Sequence, residues 1–345
     1  MSETGYNIHD ILTVKIRRNR QYPIRDKLNM KYSYFRVPEI GDPDITLNVG
    51  KFEPKNNNCY IIDHKYHIKE NYLYCKESIG NAKWEVEVQG LDEDELTINF
   101  FGSFNSLSAI PYPDFLAQNI LLKFIEFRLC QKGYLLCHAA GICKDNKAHI
   151  FIGRGGTFKT TLCMDLIREK NFHYLGDDRV IIGKNRVFSF PINLEVFEFM
   201  CEHLKNENSW NLYQKARFIA GQLSRGSSID VTDICIPNTL YMMTRANTYS
   251  LKPITCLDDF VRKMVINNRL EDFIDVGFLN IKNGPFYRYL LAYSNIFPES
   301  EFSRFEERLK QVISNVVSGI PCFELTTSKA YERDVLLNIA SISGE

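Results

Sequence analysis

Hydrophobic and polar residues alternate in short runs through roughly the first hundred positions of the chain. The clearest runs lie at residues 45–49, 60–62, 83–88 and 95–100, and each is bounded by glycine, asparagine or aspartate. Alternation with a period of two is typical of half-buried antiparallel strands. We therefore expect a β-rich accessory region over residues 1–112.

Beyond residue 112 the pattern changes, and strands begin to alternate with helices. An amphipathic helix is predicted over 115–130, and further helices over 159–170, 257–266, 285–296, 301–317 and from Ala330 onward. Strands are predicted at 134–137, 148–152, 172–175, 179–182, 187–190, 239–243 and 322–325. The polar stretch 204–228 is interpreted as an insert or helical excursion. Alternation of this kind predicts an α/β domain over residues 113–345, built on one sheet.

The charge balance restricts the partners of the protein. The 345 residues carry 42 basic and 42 acidic side chains, so the formal net charge is zero. This balance argues against a polyanion binder held mainly by bulk electrostatics, and we expect no nucleic-acid partner. A local anion site built from backbone amides remains compatible with neutrality.

Cysteine usage and hydropathy predict the compartment. None of the ten cysteines forms a C-x-x-C pair, and several lie in apolar runs. The amino-terminal residues contain no apolar core of a secretory signal, and no stretch reaches the about 20 apolar residues that a membrane span needs. We expect a reducing, cytoplasmic setting without membrane association, with the cysteines acting as small hydrophobic residues.

A glycine-rich segment, Gly153-Arg-Gly-Gly-Thr-Phe-Lys-Thr160, stands between a predicted strand and a predicted helix. It follows the phosphate-binding pattern G-x-x-x-x-G-K-[ST] except at Phe158. Glycines let the amides of such a loop converge on a phosphate, and the helix amino terminus adds partial positive charge. We predict that a nucleotide contacts Gly153, Arg154, Gly155, Gly156, Thr157, Phe158, Lys159, Thr160 and Thr161.

Two residues of this loop have specific expected roles. We expect Lys159 to reach the β- and γ-phosphates, and the Thr160 hydroxyl to ligate Mg²⁺. Phe158 replaces the last glycine of the pattern, so its side chain crowds the phosphates or shifts the loop unless it points outward against the sheet. The alternative is a glycine-rich turn without a ligand.

Paired carboxylates follow the next predicted strand, in Gly176-Asp-Asp-Arg-Val180. Ligands of open α/β sheets bind at the carboxyl ends of strands, so Asp177 and Asp178 are predicted to face the same crevice as the loop. One carboxylate can hold magnesium while the other orients or deprotonates an attacking hydroxyl. A solvated Asp-Asp turn is the alternative.

Residues 115–345 resemble the catalytic domain of HPr kinase/phosphorylase and its looser P-loop relatives. The resemblance rests on His138-Ala-Ala-Gly141, on the loop at 153–161, on Leu175-Gly-Asp-Asp-Arg-Val180 and on the strand Pro321-Cys-Phe-Glu-Leu325. It implies a P-loop-containing mixed sheet with flanking helices, of the HPr kinase/PEP carboxykinase type. The β-rich region that precedes it does not resemble the regulatory domain of the family.

The resemblance also implies ATP- and Mg²⁺-dependent phosphorylation of a serine hydroxyl. By position, Lys159 and Thr160 handle phosphate and metal, Asp177 and Asp178 supply the base and a metal contact, and His138 lines the site. A metal-binding glutamate of the family corresponds to Glu195, so the implied metal ligands are Thr160, Asp178 and Glu195. The family's Glu-x-Arg-Gly signature is missing after Glu195, so neither the phosphorylase activity nor the protein substrate is carried over.

The sequence therefore predicts a phosphotransferase that uses ATP and Mg²⁺ and acts on a hydroxyl of an unidentified protein or small molecule. Two other hypotheses remain open. One is a non-catalytic nucleotide sensor or scaffold, with Phe158 marking a degenerate loop. The other is a nucleotide hydrolase that drives a conformational change in a partner.

Overall fold

The structure is a computed structural model that describes residues 2–19, 31–79, 82–104, 112–192, 194, 197, 229–270, 275–276, 281–282 and 285–328. The described residues form two compact units. Unit 1 is drawn from Met1–Leu135 and Asn268–Asn315, and unit 2 from Leu136–Asn267 and Val316–Glu345. The fold is mixed α/β, with large mixed sheets and few helices.

The longer helices among the described residues all lie beyond residue 111. They are α1 (Tyr112–Gln131), α2 (Lys159–Lys170), α3 (Leu257–Leu270), α4 (Phe286–Ser294) and α5 (Phe305–Val317). No helix among the described residues is long and apolar enough to cross a lipid bilayer.

Unit 1 is built on a nine-stranded sheet. Its strands are β1 (Ser2–Ile8), β2 (Leu12–Arg18), β3 (Arg36–Val37), β4 (Ile45–Val49), β5 (Tyr60–Ile62), β6 (Tyr66–Lys69), β7 (Tyr72–Ile79), β8 (Ala82–Gln89) and β9 (Leu96–Phe104), in the order β3-β1-β2-β4-β9-β8-β7-β6-β5. The expected β-rich amino-terminal region is confirmed.

The expectation of antiparallel strands is wrong for two pairs of adjacent strands in this sheet. β4 pairs in parallel with β2 on one side and with β9 on the other. Residues 19–44 separate β4 from β2, and the meander β5–β8 separates it from β9, so neither pair is closed by a tight hairpin. Alternation of side chains gives the face on which each residue lies and carries no information on strand direction.

Unit 2 is built on a second mixed sheet. Its strands are β10 (Leu135–Cys137), β11 (Ala139–Lys144), β12 (Lys147–Gly153), β13 (His173–Gly176), β14 (Val180–Ile182), β15 (Val187–Phe188), β16 (Ile234–Arg245), β17 (Ser250–Pro253) and β20 (Cys322–Thr327). Their order is β10-β14-β15-β16-β12-β11-β13, with β20 beside β16 and β17 beside β20. The short strands β18 (Asp275–Val276) and β19 (Ile281–Lys282) belong to the part of the chain assigned to unit 1, and among the described residues they pair only with each other.

The helix α2 packs against this sheet through one apolar face. Leu162, Cys163 and Leu166 share a buried cluster with residues of β11, β12 and β16. The positions 162, 163 and 166 lie on one side of a helix with 3.6 residues per turn. This packing fixes the start of α2 beside the carboxyl end of β12.

The units divide the chain differently from the expected boundary at residue 112/113. The helix α1 and residues 268–315 belong to unit 1, together with the nine-stranded sheet. Long-range packing decides this assignment, whereas the sequence expectation followed the local change of pattern. The predicted insert at 204–228 and the predicted closing helix from Ala330 lie outside the described residues.

Candidate functional site

The glycine loop, residues 153–161, joins the carboxyl end of β12 to the amino end of α2. Gly153 pairs with Met243 of the parallel strand β16. A Cβ at Gly153 would lie 2.6 Å from the Met243 carbonyl oxygen, so only glycine fits there. The strand–loop–helix arrangement expected from the sequence is therefore present.

Phe158 has a backbone conformation that favours glycine. Its φ is 67° and its ψ is 19°, in the left-handed region, and it directly precedes the first residue of α2. The carbonyl oxygen of Phe158 accepts the Leu162 amide at 2.9 Å, which continues the helical hydrogen bonding. The half-buried ring lies beneath the Arg245 guanidinium, 5.1 Å from ring centroid to Cζ.

Lys159 turns back into the loop. Its side chain is buried, and its Nζ donates to the carbonyl oxygens of Gly153 at 2.6 Å and Arg154 at 3.1 Å. The Thr157 hydroxyl donates to the same Arg154 oxygen at 2.8 Å. The ammonium therefore lies inside the loop at the amino end of α2, where the helix contributes further partial positive charge.

The paired carboxylates reach the same edge of the sheet. β13 is antiparallel to β11, and β11 is antiparallel to β12, so β13 and β12 run in the same direction. Gly153 and Gly176 therefore both end their strands at the amino end of β11. Asp177 follows Gly176 directly, and its carboxylate lies near enough to Thr160, at the start of α2, for that residue to lower its pKa. Asp178 is exposed.

The carboxyl group of Asp177 has a raised pKa. Burial, and secondarily the neighbouring charge of Asp178, raise its pKa to about 6, against the lowering effects of Thr160 and Lys159. Its Oδ1 is buried and has no hydrogen-bond partner among the described residues. A buried carboxylate oxygen without a donor is costly, and a bound cation would satisfy it.

His138 lies immediately before β11, at the same edge. Burial, followed by the charges of Arg179, Lys159 and Arg154, lowers the pKa of His138 to about 2, so its imidazole is neutral. Its Nδ1 accepts a hydrogen bond from Arg179, whose guanidinium also donates to the Asp178 carbonyl oxygen at 3.1 Å. His138 thus supports the carboxylate turn through Arg179.

Asn267 completes a chain of hydrogen bonds between the loop and this turn. Its side-chain Nδ2 donates to the backbone carbonyl oxygen of His138 at 3.0 Å. Its backbone carbonyl oxygen accepts a hydrogen bond from the Arg154 guanidinium at 3.2 Å. The side chains of Asn267, His138 and Arg179 are all buried. The network links Arg154, the first loop residue after β12, to the backbone of Asp178, whose carboxylate is exposed.

The donor set at this edge fits a magnesium ion. Thr160 and the Asp177 carboxylate are neighbours, and Asp178 is adjacent in sequence. Mg²⁺ typically takes one or two carboxylates plus water and substrate phosphates. The described residues contain no group of three or more His, Cys, Asp or Glu side chains that could hold a metal without such help. Glu195, the third expected metal ligand, lies outside the described residues.

The structure brings most of the predicted site residues together. Loop, carboxylates and histidine meet at one sheet edge, around the amino end of α2. Sequence reasoning did not identify Arg245 and Asn267, which reach the edge from β16 and α3. A cation at the end of an apolar strand was the available signal for Arg245, whereas nothing in the sequence marked Asn267.

The chain matches no model of a known protein family and no curated protein sequence.

Proposed function

We propose that the chain is an ATP- and Mg²⁺-dependent phosphotransferase with a P-loop domain of the HPr kinase/PEP carboxykinase type. The observation that carries the proposal is the juxtaposition, at the start of α2, of Lys159, Thr160 and Asp177, whose Oδ1 has no hydrogen-bond partner among the described residues. A cation beside a helix amino terminus suits phosphate, and a buried carboxylate beside a hydroxyl suits magnesium.

Different residues of the site would bind the polyphosphate and the metal. The loop amides and Lys159 hold the polyphosphate, and Lys159 exchanges its two carbonyl acceptors for phosphate oxygens. Thr160 and Asp177 would hold magnesium, which when bound neutralises charge on the transferring phosphoryl group.

Proton transfer falls to the carboxylates. The acceptor hydroxyl gives its proton to a carboxylate as its oxygen forms a bond to phosphorus. The bond between phosphorus and the leaving oxygen of the nucleotide breaks in the same step. Asp178 is exposed, so it can meet an acceptor, and the Arg179–His138 pair holds the backbone of its turn. The acceptor is a serine or another hydroxyl, on a protein or a small molecule.

The first test is the substitution Lys159→Ala, with Lys170→Ala at the exposed end of the same helix as control. Loss of a charge-assisted contact should weaken Mg-ATP binding by at least about tenfold, measured by isothermal titration calorimetry. The Lys170 variant should bind like the wild type. Equal affinity in the Lys159 and Lys170 variants would refute the assignment of the loop.

The second test separates binding from transfer. Asp178→Asn should leave Mg-ATP affinity within about threefold and reduce transfer of labelled phosphate by about 10²- to 10⁴-fold, the usual effect of removing a general base. An Asp178→Asn variant with wild-type turnover would show that this carboxylate is not the base.

Phe158 favours a second candidate, a nucleotide sensor that binds without turnover. A bulky residue occupies the loop position where the phosphate-binding pattern has glycine, and Lys159 is satisfied by backbone oxygens. Tight Mg-ATP binding without release or transfer of phosphate would support the sensor. Release of free phosphate without an acceptor would instead support a hydrolase.

A further inference from the structure

Arg245, the last residue of β16, lies against the glycine loop from the neighbouring strand. We propose that Arg245 is a polyphosphate-binding residue of the site and that the Phe158 ring is the platform that positions it. This inference rests on the proposed nucleotide-binding function and adds a specificity residue to it.

Strand register places Arg245 beside the loop. β16 runs parallel to β12, and Met243 pairs with Gly153, the residue at which the loop begins. Met243 shares the buried cluster with Leu162, so its side chain lies on the face of the sheet that α2 covers. Two residues further along a strand, the side chain returns to the same face. Arg245 therefore projects on the α2 face, beyond the point where the helix begins.

Contacts at the apex of the loop agree with this placement. The Arg245 guanidinium lies over the Phe158 ring, and its Nη1 is 3.7 Å from the position that a Cβ on Gly156 would take. Gly156 has a positive φ of 84° and no side chain, so the guanidinium approaches bare backbone. The exposed cation thus stands over the surface at which the loop amides would meet a phosphate.

The chemistry of the pair favours phosphate as the ligand. Stacking on an aromatic ring engages the face of a guanidinium, and its N–H donors point along its plane, which suits bidentate phosphate binding. Lys159 is enclosed by the loop, whereas Arg245 approaches from outside it, so a polyphosphate between them would be held from two sides. The pairing also gives a reason for a phenylalanine at the glycine position, since glycine would remove the platform.

Binding measurements with three probes test this role: Mg-ATP, inorganic tripolyphosphate with Mg²⁺, and adenosine. Arg245→Ala should weaken Mg-ATP and tripolyphosphate by about 10- to 100-fold in titration calorimetry and leave any adenosine binding unchanged. Arg245→Lys keeps the charge without the planar fork and should recover only part of the loss. Arg186→Ala, at the exposed turn between β14 and β15, is the matched control and should bind like the wild type.

The platform is tested with Phe158→Leu, which keeps an apolar side chain and removes the ring. It should weaken tripolyphosphate by about 2- to 5-fold in the wild-type background, the range of an exposed cation–π contact, and have no effect in Arg245→Ala. Circular dichroism and thermal melting confirm that each variant is folded.

Each other outcome has a defined meaning. Unchanged or tighter tripolyphosphate binding by Arg245→Ala would overturn the inference alone, provided that Lys159→Ala still loses binding. An equal loss for Mg-ATP and adenosine, with tripolyphosphate unaffected, would assign Arg245 to the nucleobase and also overturn it. Absence of Mg-ATP and tripolyphosphate binding by the wild type would overturn the proposed function, and this inference with it.

Discussion

Phe158 holds a left-handed backbone conformation in which non-glycine side chains cost about 1–2 kcal/mol. The strain gives a residue-scale prediction that reverses the usual order of helix propensity. Phe158→Gly should be more stable than Phe158→Ala by about 1 kcal/mol, because glycine, unlike alanine, adopts a φ of 67° without strain. Urea unfolding of the two variants measures the difference.

A matched pair at Arg168, an exposed position within α2, supplies the control for Phe158. There glycine should be less stable than alanine by up to about 1 kcal/mol, since the backbone is helical. If the alanine variant were the more stable at both positions, the left-handed conformation of residue 158 would be disproved.

Asp177 gives a second residue-scale prediction, on pH. Burial raises its pKa from about 4 in the unfolded chain to about 6 in the folded one, so between these values the folded protein binds more protons. The contribution of Asp177 to stability is therefore fully present below pH 4 and is lost as the pH rises through 6. Relative to Asp177→Asn, the wild type should lose up to about 3 kcal/mol of unfolding free energy over that range.

The measurement is urea unfolding of both proteins from pH 4 to 7 in the absence of nucleotide and magnesium. His138 has the opposite pH dependence, because a lowered pKa in the folded protein means that stability is lost as the pH falls. Both proteins contain His138, so its contribution cancels when the wild type is compared with Asp177→Asn. Parallel curves for the two proteins would mean that Asp177 is not buried beside Thr160 as described.

At the scale of elements, local signals were sufficient for the centre of the site. The helix α2 has the predicted bounds because a glycine-rich turn precedes it and because Asn171, in a left-handed conformation, ends it. The strand before the loop and the turn with Asp177 were likewise predicted, since each is specified by adjacent residues. These elements account for the loop and both carboxylates.

The neighbours of each strand were not predictable in the same way. The pairing of β16 with β12, which brings Arg245 to the loop, joins residues about ninety positions apart in the chain. The parallel pairs β2–β4 and β4–β9 also depend on long connections, which periodicity does not describe. Strand order follows from the burial of the whole sheet, so a single sequence predicted the elements and missed the contacts between them.

At the scale of the molecule, the described site residues all belong to unit 2, and unit 1 contains buried polar groups of a different kind. Glu87 of unit 1 is buried, yet it accepts hydrogen bonds from the Lys55 amide, Tyr72, Gln89 and Asn99. These donors hold the pKa of Glu87 below its usual value against the effect of burial. A carboxylate satisfied in this way is structural, in contrast to Asp177, whose Oδ1 has no such donor.

The location of the site predicts where a bound nucleotide stabilises the molecule. A ligand that binds only the folded protein at a hundred times its Kd adds about 2.7 kcal/mol to apparent stability. Because the contacts are made by the loop, α2 and the turn after β13, amide hydrogen exchange should slow in peptides from residues 147–178 when Mg-ATP is added. Lys159→Ala should show less slowing at the same Mg-ATP concentration, because a tenfold weaker Kd reduces the added stability to about 1.4 kcal/mol. Protection confined to β1–β9 would place the nucleotide on unit 1 and contradict the assignment, since no proposed phosphate or metal contact lies on those strands.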